Sequence, residues 1–293
     1  MSGTTKRSVA NLRRLVRNTG ALAGLAFIVT VAALAILAPV LPFDPLAQSL
    51  VDALEGPSAQ HWFGADELGR DIMARVIYGA RTSLLTATGA VAIAGLVGVP
   101  IGLVGGFFGG WRDAVLMRFV DVLLALPNIL FAMAMIAVIG RSQLAALIAV
   151  GITGIPGFAR ITRAQVLSLR KRDFVTAVEA LGASSTYSMF RTVLPNSWSP
   201  ILVQAVVLSS VAILLEAALA FLGVGIPPPT PSWGEMLRTG KSYLYEAPYY
   251  AVLPGLVLTL TILSLDTIGR ALAAILEDRQ AAGESNALER ALP

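Results

Sequence analysis

TSLLTATGAVAIAGLVGVPIGLVGGFFGGW, from Thr82 to Trp111, runs for thirty residues without a charged side chain. A bilayer hydrocarbon core of about 30 Å takes roughly 20 apolar helical residues to cross, so this stretch is long enough to span one. Its apolarity is continuous rather than alternating, which argues against a β-barrel strand. A helix also satisfies every backbone N–H and C=O within one segment, as hydrocarbon requires. Working outward, charge-free windows of the same kind cover residues 18–43, 122–140, 142–159, 192–215 and 247–265. The expected fold class is therefore an all-α integral membrane protein with six transmembrane helices.

Composition points the same way. Of 293 residues, 56% are hydrophobic and 14% charged, against about 25% charged in a soluble domain, and the mean hydropathy is +0.73. With no Cys and one His, disulfide frameworks, thiol nucleophiles and most zinc, copper and haem chemistry are excluded, and no metal site is expected. The first window is too long and too deep in the chain for a signal-peptide core, and is read as a true span.

Cationic loops near span ends stay cytoplasmic. Placing both termini inside puts sixteen of the 22 Lys and Arg there, including Lys6, Arg7, Arg13, Arg14 and Arg17 of the N-terminal tail. Both termini are thus expected to be cytoplasmic. The expected layout is a tail at 1–20, a first transmembrane helix at 21–43, an extracytoplasmic segment at 44–81, a five-helix core at 82–273 with a cytoplasmic loop at 160–197, and a cytoplasmic tail at 274–293. The basic residues do not gather on one soluble face, so nucleic-acid binding is not expected. A second outer segment, 223–246, carries Pro227, Pro228, Pro229 and Pro231, which favour a stiff extended ledge.

The inner loop is the most informative connection. Asp173 is placed to cap a helix, Phe174, Ala177, Val178 and Leu181 follow at i, i+3, i+4 and i+7, and Gly182 stands where a left-handed C-terminal residue belongs. A second short helix is expected over 184–191, before Leu194-Pro195 opens the fifth span. Periodicity leaves two readings open for the first helix: it lies on lipid headgroups beside Arg170, Lys171 and Arg172, or it offers a face to a cytoplasmic partner.

The string FVTAVEALGASSTYSMFRTVLPN, Phe174 to Asn196, resembles the signature loop of permeases in ATP-binding-cassette (ABC) importers: Glu-Ala-Ala, three residues, Gly, then Leu-Pro. Gly182, Leu194 and Pro195 match, Ala177 and Val178 hold the Ala-Ala positions, and Thr176 stands where the family has its Glu. Glu179 is not that residue. HWFGADELGRDIMARVIYGARTSL, His61 to Leu84, and FLGVGIPPPTPSWGEML, Phe221 to Leu237, are similar to the second permease of dipeptide, oligopeptide and nickel importers. Three motifs in order, across roughly residues 60–273, are more specific than any one.

The resemblance implies a type I ABC importer permease fold and a bacterial or archaeal plasma-membrane location. It implies four partners: a homologous second permease, two cytoplasmic ATPases and an extracytoplasmic solute-binding protein. ATP and Mg²⁺ would sit on the ATPases, with no cofactor on this chain and no catalytic residue. Asp173, Phe174, Thr176, Ala177, Val178, Glu179, Leu181 and Gly182 would form the helix that docks on an ATPase. The imported solute would be a peptide or a similar small compound. Gly240-Lys241-Ser242 resembles the end of a phosphate-binding loop, but Glu235 stands where its first Gly is required, and that reading is rejected. An ion-gradient carrier would want several ionisable residues at the membrane midplane.

Gly98, Gly102, Gly106 and Gly110 recur every four residues on one face of the second window, a spacing that lets helices approach closely, either within this subunit or against the second permease. Arg118 with Asp121 and Asp266 with Arg270 have the spacing of local ion pairs. Glu216 has no basic residue within a turn. It either lines the translocation path or accepts hydrogen bonds from Ser209, Ser210 or a partner chain. His61 beside Trp62 reads as a headgroup-level surface residue. Asp66, Glu67, Arg70 and Asp71 read as a solvated charge cluster with a helix start at Asp66, or, by the resemblance, as a segment near the binding protein.

Overall fold

A computed structural model describes residues 19–291, with side chains described to residue 276. The five basic residues expected to hold the N-terminus inside, and the side chains of the tail beyond residue 276, lie outside the described residues. The helices are α1 (Thr19–Leu37), α2 (Ile72–Phe108), α3 (Gly110–Leu124), α4 (Asn128–Ile139), α5 (Gln143–Leu169), α6 (Asp173–Ala180), α7 (Ser185–Phe221), α8 (Trp233–Gly240) and α9 (Pro248–Ala291). Among the described residues there is no named strand. By length and composition α1, α2, α5, α7 and α9 can each cross a membrane, and α3 with α4 makes a sixth candidate as a pair bent by 86°.

That bend falls inside the window at 122–140, at Pro127, a residue that can kink a helix. Pro127 has no N–H to donate and disfavours helical backbone at the residue before it, so the chain leaves α3 at Leu124 and restarts at Asn128. Pro100, by contrast, sits inside α2 without ending it.

The second span also starts ten residues earlier than its charge-free window. Asp71 accepts a hydrogen bond from the Ala74 amide at 2.8 Å, which satisfies one of the orphan donors of a helix start. Asp71, not Asp66, is therefore the helix start. At about 1.5 Å per residue, the 37 residues of α2 exceed the bilayer core, and its first turns project toward the end of the bundle formed by the 44–71 segment and α8.

The central packing is α2 on α5. A Cβ on Gly98 would lie 2.6 Å from the Ile155 carbonyl oxygen and one on Gly106 would lie 2.9 Å from that of Arg163, while one on Gly102 would meet the Ala159 carbonyl. Without a hydrophobic drive between helices in lipid, such close approach supplies the dispersion contact that holds them together. The stripe therefore packs within this subunit. Gly110 is not part of it: nothing lies near its missing side chain, and it sits with φ +58° where α3 begins.

At the cap end the expected solvated cluster is instead a buried ionic network. Asp66 is fully buried and Arg70 and Arg75 nearly so. Arg70 Nε donates to Asp66 Oδ2 at 2.6 Å, while Arg75 lies 3.3 Å from Asp66 and 3.2 Å from Glu235 of α8. Burial of these charges is tolerated because each is paired and hydrogen-bonded. Burial works against the Arg70 charge, but attraction and hydrogen bonding from Asp66 outweigh it and hold the guanidinium pKa above its ordinary value.

Around the network, Trp233 Nε1 donates to the Val76 carbonyl at 3.0 Å, Tyr249 to the Leu54 carbonyl at 2.6 Å and Tyr250 to Glu67 at 2.6 Å. The proline ledge thus leads into a helix seated on α2. His61 is half-buried and its Nδ1 lies 3.2 Å from Asp71, so the headgroup-surface reading is also corrected.

Candidate functional site

Two places concentrate the residues singled out from the sequence: the α6 corner and the carboxylate of Glu216. At the α6 corner, Arg172, not Asp173, occupies the N-cap and makes no side-chain cap bond. Asp173 is the first helical residue, where its charge favours the helix N-terminus. The other end is as expected. Gly182 has φ +89°, its amide donates to the Glu179 carbonyl at 3.0 Å, and the Ala183 amide reaches back to Val178 at 3.3 Å. This paired closure needs left-handed backbone at the glycine, where a Cβ is costly.

One side chain anchors α6. Val175 is fully buried among Leu103, Phe107, Val166, Met189 and Val193. It was not on the apolar stripe read from the sequence; at 3.6 residues per turn it flanks that stripe on the side of half-buried Val178. The stripe itself is turned outward: Phe174 is 42% and Leu181 88% exposed, Ala177 is exposed and Val178 half-buried. Thr176 and Glu179 are exposed beside it. A shallow groove continues from Val178, Leu181 and Gly182 to Ser184, Tyr187 and Thr192.

The second short helix expected before the fifth span is instead continuous with it. Ser184 caps the start by accepting from the Tyr187 amide at 3.2 Å, and a π-helical stretch, Ser188–Val193, joins directly to Leu194. Such wide turns recur at functional sites. Pro195 falls in the first turn of the following α-helical stretch, where its missing N–H costs little.

Ion pairs fix α3 to α5 near this end. Arg163 makes two bonds of 2.6 Å to Asp113, and Arg160 meets Asp121 at 2.8 Å. Asp121 is thus paired across helices rather than with Arg118. Asp266 and Arg270 do form the local pair, at 2.6 Å.

Glu216 lies on α7, 1% exposed. Its Oε2 accepts from Ser83 Oγ of α2 at 3.0 Å, the hydroxyl of Ser232 also faces it, and Oε1 has no hydrogen-bond partner. Ser209 and Ser210 bond instead to the carbonyls of Ala205 and Val206 in their own helix, which overturns them as partners of Glu216. Ser232 is also the N-cap of α8, accepting from the Glu235 amide at 3.2 Å. The spacing Ser232…Glu235 is a readable cap signal, whereas nothing in sequence marks Ser83. No group of His, Asp and Glu suited to hold a metal occurs among the described residues.

With this geometry in place, comparison with known proteins settles the family. Residues 98–281 match the model for the binding-protein-dependent transport system inner membrane component. The chain belongs to this family. Residues 10–57 also match the N-terminal transmembrane domain of oligopeptide transport permease C. Among curated relatives of this inner membrane component, the dipeptide transport system permease protein DppC of Alkalihalophilus pseudofirmus is 40% identical over 91% of this chain and 88% of its own. The di/tripeptide permease DppC of Pseudomonas aeruginosa is 40% identical over 89% of each. The glutathione permease GsiD of Pectobacterium atrosepticum is 37% identical, covering 91% of this chain and 89% of its own. An inward-facing structure of the MetNI methionine ABC transporter aligns with TM-score 0.53 at 18% identity, over 69% of this chain and 97% of its own. That likeness fixes the type I permease fold of the core. This inner membrane component is thus a multi-pass permease subunit of an ABC transporter.

Proposed function

We propose that this chain forms half of the translocation pathway of an ATP-driven importer of peptides or similar small solutes, and that α6 is its coupling helix. The reading rests on one observation: α6 is held to the bundle by a single buried anchor, Val175, while Phe174, Ala177 and Leu181 face outward beside half-buried Val178. An apolar helix face left bare at a membrane-protein corner fits a groove in a soluble partner. The partners in this reading are two cytoplasmic ATPases, which carry ATP and Mg²⁺, a homologous second permease and an extracytoplasmic solute-binding protein.

ATP-driven approach of the ATPases would move α6 as a lever. The π-helical Ser188–Val193 segment passes that motion into α7, and the packed α2–α5 pair responds by switching between discrete arrangements. The orientation in this reading has both termini in the cytoplasm of a bacterial or archaeal plasma membrane and the buried ionic cap facing outward. Glu216 enters as a pathway-side carboxylate that is closed off in this arrangement by α2 and α8. The peptide class is supported by the relatives named for dipeptide, di/tripeptide and glutathione transport.

The test is uptake of labelled di- and tripeptides into vesicles holding the assembled complex, with ATP inside and no ion gradient. ATP-dependent accumulation is the expected result. Accumulation that needs a proton or sodium gradient, and none with ATP alone, would assign the chain to an ion-coupled carrier.

A further inference from the structure

Arg81 projects from α2 into a groove of about 550 Å³ that lies beside α1. The other walls are apolar: Ile28, Ala32 and Ile36 of α1 and Leu84 and Leu85 of α2, with Ile213 among the deeper residues. The two hydroxyls in the lining are already used. Thr88 Oγ1 bonds to the Leu84 carbonyl at 2.8 Å and Ser209 Oγ to that of Ala205 at 2.9 Å. Arg81 is exposed and among the described residues makes no ion pair or hydrogen bond.

The helices run in opposite directions, so the groove has a direction. Arg81 and Ile36 are at the cap side, and Thr88 and Ile28 lie deeper by about 10 to 12 Å at 1.5 Å per residue. A lone cation at the rim above an apolar trough complements one class of molecule, an anionic amphiphile. A peptide fits poorly, because its backbone amides would be buried against Ile28, Leu85 and Ile213 without partners. An Arg at headgroup depth, by contrast, pairs readily with a phosphate oxygen.

We infer that this groove binds an anionic phospholipid, with its phosphate on Arg81 and one acyl chain lying between α1 and α2. The occupancy would fasten α1, which carries no charged residue of its own, to the core at the cap-side leaflet.

The assembled complex in membranes is labelled with a phosphatidylglycerol carrying a photoactivatable group in its acyl chain. Peptides covering residues 28–36 and 84–88 are expected to take the label. Arg81→Gln should lower that labelling at least fivefold, Arg81→Lys should keep most of it, and a phosphatidylcholine probe should label weakly. Leu85→Trp, which fills the trough and leaves Arg81 in place, should also abolish labelling if Arg81→Gln does not assemble. Equal labelling in wild type, Arg81→Gln and Leu85→Trp overturns the site, as do equal labelling by both lipids, an unlabelled wild type because the second permease covers the groove, and displacement of the label by a dipeptide.

Discussion

Ser83 and Glu216, 133 positions apart in the chain, meet at 3.0 Å inside the bundle and join α2 to α7 beneath the N-cap of α8. A buried carboxylate with one oxygen unpartnered and no cation beside it is a costly feature.

Glu216→Gln keeps an oxygen for Ser83 and removes the ionisable group. Assembly with the other subunits is expected to persist while transport kinetics change. Wild-type uptake in that variant would remove Glu216 from the pathway. Ser83→Ala removes the donor to Oε2, leaving Ser232 as the remaining hydroxyl beside the carboxylate, and should cost about 1–3 kcal/mol, read as a lower unfolding midpoint of the detergent-solubilised complex.

Gly182→Val should leave membrane insertion intact but strain the turn by about 1–2 kcal/mol and tilt the outward face of α6. Copurification of the ATPases should fall. Unchanged copurification would count against α6 as the docking helix. Val175→Ala tests the same corner from inside: with the anchor loosened, ATP hydrolysis is expected to continue with less solute moved per ATP.

Two neighbouring glycines should behave in opposite ways. Gly98→Ala drives a Cβ to 2.6 Å from the Ile155 carbonyl, whereas at Gly95 the nearest atom is a Phe158 ring carbon at 3.8 Å. Gly98→Ala is expected to destabilise by about 1–3 kcal/mol. Gly95→Ala should be neutral or stabilising by up to about 1 kcal/mol, from helix propensity. Thermal unfolding of the two variants decides it, and equal midpoints would contradict the α2–α5 packing.

Arg75→Leu leaves Asp66 without one of its cations and Glu235 without its close one. Breaking a buried pair costs about 3–5 kcal/mol, so the cap should open. Faster proteolysis within 44–71 is the expected signal, and wild-type resistance would show that the network is dispensable.

The sequence by itself determined the class, the helical spans, the glycine stripe and the α6 corner. Each of these rests on local regularities: continuous apolarity over a bilayer's thickness, a four-residue spacing, a glycine placed after an amphipathic turn. Gly182 is legible because left-handed backbone restricts residue choice at one position. Only the tertiary structure decided that Asp66, Arg70 and Arg75 are buried, that Asp121 pairs with Arg160, that Val175 is the anchor of α6, and that Glu216 meets Ser83 rather than Ser209 or Ser210. A charge in sequence looks the same whether solvated or paired, because its partner is set by how distant helices cross. The third span belongs to both accounts: Pro127 signals a break, but the angle of the bend follows from ion pairs and packing that join α3 and α4 to α5.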